Sequence, residues 1–171
     1  MALDGGTISD RNGLGQALIG QLQTAKDLIA NLDDADYSGG AGSIGAHFRH
    51  NLNFVEAVIA GISSRSIDYA NRSRDLRIET ERLVAIERID QLIVAIVGRV
   101  FDLEMPLTIT SEIDPAIQHS SSLGRELEFV VSHTIHHHAM IKERLQAEGI
   151  QPDPNFGVAP STLEYWNSSR Q

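Results

Sequence analysis

Residues 127–145 read LEFVVSHTIHHHAMIKERL, and the reading of the fold starts from this stretch. Leu127, Val131, Thr134, His138, Ile141 and Leu145 recur at spacings of three and four, which places them within about 80° of one another on a helix. This is the core-facing stripe of an amphipathic helix. Glu126, Phe129, His133, His137 and Met140 form an adjacent stripe, turned by roughly 100°. Positions four apart stand about 40° apart in azimuth and about 6 Å apart in rise, so His133 and His137 point the same way. They can grip one metal ion. Four of the seven histidines of the chain fall between positions 133 and 138. Of these, His136 points further out and His138 lies on the apolar seam; both read as bystanders.

Working outward, the same periodicity predicts three more helices. Leu14, Leu18, Leu22, Ala25, Leu28, Ile29 and Leu32 mark one over about residues 10–32. Asp33 to Asp36 and the glycines Gly39, Gly40 and Gly42 break it. Ser43 caps a second helix over about 43–62, carrying Ile44, Phe48, Leu52, Val55, Val58, Ile59 and Ile62. A third, over about 79–102, carries Leu83, Ile86, Ile89, Leu92, Ile93, Ile96 and Val100. The histidine-rich helix occupies about 121–148, with the hydroxyls of Ser120 to Ser122 at its start and Gly149 as a left-handed terminator. Ser63 to Ile78 reads as a polar connector. Met105 to Ile117 reads as an extended loop, although Leu107-Thr108-Ile109-Thr110 has the composition of a short strand. A tail over 150–171 holds Pro152, Pro154, Pro160 and the one tryptophan, Trp166, which is expected to dock on the body. The fold expected is all-α: one domain over 1–171, a four-helix bundle with long crossover connections and a docked C-terminal tail.

Composition narrows the partners. The chain carries 23 acidic and 14 basic residues, a formal net charge of −9, with no basic run. Phosphate backbones and anionic membranes are repelled, so neither nucleic acid nor membrane is an expected partner. There is no cysteine, which removes disulfides, thiolate metal sites and cysteine nucleophiles. Met1 to Gly6 has neither a basic head nor an apolar run, so no signal peptide is read there. A cytoplasmic protein is expected.

A third imidazole would complete a site with an open position, the coordination plan of a catalytic metal. On the second helix His50 shares its face with Ala46, Phe54, Ala57 and Gly61, small residues that would let another helix approach. His47 is about 60° away. Either can serve as the third ligand. Imidazole suits zinc, nickel, iron and copper. Glu126, two turns before His133, is placed to orient the second nitrogen of a ligand. Glu56 and Glu126 are the candidate general bases. Other chemistries are missing: there is no His-Glu-x-x-His, no Glu-x-x-His of di-iron proteins and no Gly-x-Ser-x-Gly. The stretch Gly39 to Ser43 lacks the lysine and spacing of a phosphate loop.

The segment Ser43-Ile44-Gly45-Ala46-His47-Phe48-Arg49-His50, followed by Ser132-His133-Thr134-Ile135-His136-His137, resembles the DinB-like superfamily of metal-binding four-helix bundles. Residues 67–75 and 156–163 resemble an uncharacterised subgroup of it. The resemblance implies that His50, His133 and His137 bind a divalent metal, zinc or nickel with iron as a further option. His47 is then an extra residue beside the ligands, and His138 stands where relatives often have arginine. It also implies a homodimer acting on a small-molecule substrate, either as a metal-dependent hydrolase or as a transferase using a low-molecular-weight thiol. Asp68, Tyr69, Arg72 and Arg74 would border the pocket, an arginine holding a substrate carboxylate. The alternative is a non-catalytic metal-binding or dimeric sensor bundle.

Overall fold

The computed structural model describes residues 8–39 and 42–169. Met1 to Gly6, where no leader is read, lies outside the described residues, as do Gly40, Ala41 and the last two residues of the tail. In chain order the elements are α1 (Ile8–Asn31), α2 (Asp34–Ser38), α3 (Ile44–Ser64), β1 (Ser66–Asp68), α4 (Arg77–Thr80), α5 (Arg82–Ile96), β2 (Pro106–Thr110), β3 (Gln118–Ser122), α6 (Leu123–Ala147) and α7 (Pro160–Ser168).

Local chemistry sets the ends of the two helices that matter most. Ser43 is in an extended conformation and its hydroxyl accepts the Ala46 N–H at 3.1 Å, satisfying one of the orphan donors that open α3. Ser122 does the same for α6, accepting from the Arg125 N–H at 3.3 Å. Beyond α6, Gly149 takes φ 84°, a left-handed conformation open to glycine at no steric cost. Leu18, Leu22 and Ile29 of α1, Phe48, Leu52 and Val55 of α3, Ile89 and Ile96 of α5, and Leu127, Ile141 and Leu145 of α6 are buried together. Each such side chain contributes about 1.5–3 kcal/mol of transfer free energy.

The architecture is not the expected all-α four-helix bundle. A three-stranded mixed sheet, ordered β1-β2-β3, lies among the helices. β1 pairs with β2 in parallel, Ile67 opposite Ile109, and β2 pairs with β3 antiparallel, Leu107 opposite Ser121. Residues 107–110, expected as loop, are therefore its central strand. Sequence periodicity misses the sheet for a physical reason. β1 has only three residues, and β3 is Gln-His-Ser-Ser-Ser, with no apolar alternation. Backbone ladder bonds hold the sheet, and Ile67 and Leu107 are its fully buried anchors.

Other boundaries also move. Asp34 to Ser38 is a short helix, capped by the Asp33 carboxylate, where a break was expected. The third long helix stops at Ile96, not near 102, because Gly98 takes φ 75° and turns the chain. Leu83 and Val100, expected in the core, are exposed. Gly61 does admit a close neighbour, but it is β1: a Cβ there would lie 2.5 Å from Ile67 Cγ1 and 2.7 Å from Ser66 O.

The tail docks through a different aromatic than the expected one. Trp166 is 41% exposed and α7 buries no residue. Phe156, at 2% exposed, instead stacks on His138 with ring centroids 4.5 Å apart. Next to it Gly157 takes φ 70°, and a Cβ there would stand 2.4 Å from the Ala139 backbone nitrogen. The tail backbone is pressed directly onto α6.

Candidate metal centre

Helices α3 and α6 pack against each other, and their facing stripes bring three imidazoles together. His133 and His137 stand one turn apart on α6, with ring centroids 4.5 Å apart. His50 of α3 meets them at 5.3 Å and 4.8 Å. One nitrogen from each of the three lies within 4.8 Å of the others. Three nitrogens bound to one tetrahedral ion at about 2.0–2.1 Å sit roughly 3.4 Å apart, so modest ring rotations close the group on an ion. Nε2 of His133 is buried with no hydrogen-bond partner among the described residues, a nitrogen whose desolvation nothing in the protein offsets. The group is able to hold a metal ion.

The electrostatics suit ligands. Burial first, and then the neighbouring His133, His50 and His47, push the His137 pKa down to about 3. His133 is pushed down to about 4, first by burial and then by His50, His136 and Arg72. His50 is lowered by burial and then by Arg72. All three are neutral imidazoles at neutral pH, the form that binds metal without first losing a proton.

Aromatic rings wall the group. Phe54 packs on His133 at 4.4 Å and on His50 at 4.9 Å, and Phe129 stacks on His133 at 5.6 Å. Tyr69 closes the same cluster, stacking on Phe54. Such a shell limits water and lowers the local dielectric.

The remaining residues singled out from the sequence separate into those at the site and those elsewhere. His47 is at the site: its Nδ1 lies 3.1 Å from Nδ1 of His137. His136 is exposed and meets only the edge of His137. His138 is fully buried between Phe48 and Phe156, away from the three. Glu126 does not orient a histidine as expected. It is buried, and its oxygens accept from Tyr69 Oη at 2.5 Å, Ser121 Oγ at 2.6 Å and Arg125 Nη1 at 3.0 Å. Glu56 is paired with Arg88 at 2.7 Å, so neither expected general base is free beside the imidazoles. Asp68 closes a turn by accepting from the Ala70 and Asn71 N–H groups. Arg74 is exposed.

Arg72 is at the site's edge, its guanidinium carbon 3.8 Å above the Phe54 ring. Its partner, Glu112, was missed by the sequence reading. Nothing in the pattern of residues 105–117 places that carboxylate near the second helix until the sheet is known. A cleft of about 660 Å³ between α1 and the tail is lined by residues such as Leu28, Asn31 and Phe156 and includes no histidine.

No family model matches the chain, and no solved structure matches it. One curated protein is similar: FK506-binding protein 5 of Rhizopus delemar, 36% identical over 104 residues. The match covers 58% of this chain, which spans only 27% of that protein's length. It lends nothing to the DinB-like label, which stands on the quoted residues alone, and the mixed helix-and-sheet architecture removes the four-helix-bundle label outright.

Proposed function

We propose that His50, His133 and His137 hold one divalent ion, zinc or nickel in the first place. The protein then works as a metal-dependent hydrolase, or as a transferase using a small thiol, on a small-molecule substrate. The observation that carries this reading is the meeting of three neutral imidazole nitrogens from two helices, within 4.8 Å, with no fourth ligand in the group among the described residues. A three-histidine set leaves a coordination position for water, thiol or substrate. A metal there supplies Lewis acidity and lowers the pKa of what binds it.

The chain's own residues do the rest. His47 and His137 share a proton between their Nδ1 atoms, which leaves Nε2 of His137 for the ion and fixes its ring. Phe54 and Phe129 hold His50 and His133 by packing and exclude water from their faces. Burial keeps all three rings unprotonated.

Elemental analysis of untagged protein tests the reading. About one zinc or nickel per chain is expected, lost in the double variant His133→Ala/His137→Ala. A folded wild-type chain that takes up no divalent ion after dialysis against zinc and nickel overturns it.

A further inference from the structure

We propose that Arg72 forms an anion subsite beside the histidine group: it takes the carboxylate of a small organic-acid substrate, and Glu112 occupies it when substrate is absent. The part that places the substrate's other end rests on the metal-dependent reading above.

Three features point to exchange rather than a fixed staple. Arg72 is the anchored member of the pair, its side chain 12% exposed, whereas Glu112 is 47% exposed on the turn after β2. The Arg72 guanidinium carbon stands 3.8 Å over the Phe54 ring, which itself touches His133 and His50. One ring therefore links the cation to the imidazoles, and the charge of Arg72 is felt by both histidines. In a chain of net charge −9, this is a local reversal of sign next to the metal group.

Donor arithmetic agrees. A guanidinium has five N–H donors, and Arg72 spends one nitrogen, Nη1, on Glu112 at 2.7 Å. Among the described residues its Nε and Nη2 have no partner, which leaves a fork suited to a bidentate carboxylate. The single bond to a half-exposed carboxylate is weak, so a better-placed anion can displace it. Space exists on both sides. Arg72 borders a cavity of about 340 Å³, shared with Glu56 and Asp68, and Glu112 one of about 410 Å³; the three histidines line neither, so it is the Phe54 ring that connects Arg72 to them.

The test compares two probes that differ in charge, 3-mercaptopropionate and 2-mercaptoethanol, on cobalt-loaded protein followed by its visible absorption. Wild type is expected to bind the anionic thiol about tenfold more tightly. Arg72→Gln brings the ratio to near one, and Glu112→Gln raises it severalfold. Both substitutions break the same ion pair, so a mere staple would move both variants in the same direction; that result, or a ratio near one in wild type, overturns the proposal. A second arm uses metal-free, ¹⁵N-labelled protein titrated with propionate. The Arg72 Nε–H resonance is expected to shift, at lower propionate concentration in Glu112→Gln. An unmoved resonance overturns the subsite whatever the cobalt result. If cobalt fails to bind, only the metal reading falls, and the metal-free arm still decides the role of Arg72.

Discussion

At the scale of single residues, the account turns on imidazoles that burial keeps neutral. His133 is held near pKa 4, and His137 and His138 near 3, each chiefly by burial. In the unfolded chain they titrate near about 6.5. Below that pH the unfolded state binds more protons than the folded one, so stability present above it is lost as pH falls toward 4. The thermal midpoint of chelator-treated protein is therefore expected to drop steadily between pH 7 and pH 4. His138→Phe should remove part of that slope, because His138 is buried with both ring nitrogens unpartnered among the described residues. A midpoint flat across the window contradicts this. His47 supplies a second residue-scale prediction. His47→Phe keeps a ring against His137 but loses the Nδ1 contact, and metal affinity is expected to weaken about 10- to 100-fold. Competition with a chelator of known affinity measures it, and an unchanged constant would show that His47 orients nothing.

At the scale of elements, the sheet and the tail carry the corrections to the sequence reading. Thr108 N–H donates to Arg65 O at 3.0 Å within the central strand. Thr108→Pro removes that donor, leaves the Arg65 carbonyl unpaired and is expected to destabilise the fold by about 1–3 kcal/mol, whereas an extended loop would tolerate it. Chemical denaturation decides between the two. Gly157 makes the corresponding case for the tail. A Cβ there would overlap the α6 backbone at Ala139 and His138, and φ is already 70°. Gly157→Ala is expected to lift Phe156 from His138 and destabilise by about 1–3 kcal/mol, read as a lower denaturant midpoint. The caps at Ser43 and Ser122 and the terminator at Gly149 were legible, because each acts within a few residues of its own position. The strands were not. β1 finds its partner far along the chain, Ser66 opposite Thr108, and β3, although it pairs with β2 across the short turn between them, carries no apolar alternation that announces it.

At the scale of the whole molecule, the same contrast explains what could be read of the site. The pair His133 and His137 follows from helical spacing alone. The choice between His47 and His50 does not, since both lie on nearby faces of one helix; in the structure His50 joins the group and His47 bonds to it from behind. Glu126 misled because spacing places it on the right stripe, while Tyr69 and Ser121, delivered by β1 and β3, claim its oxygens. Glu112 was invisible for the same reason as the sheet that carries it. The centre thus depends on α3 and α6, whereas its surroundings depend on long-range pairing. X-ray absorption of the zinc-loaded protein tests the central claim most directly. Three imidazole nitrogens at about 2.0–2.1 Å with one further light atom are expected, falling to two imidazoles in His50→Ala. An oxygen-only shell, or a spectrum that His50→Ala leaves unchanged, would contradict a three-histidine centre.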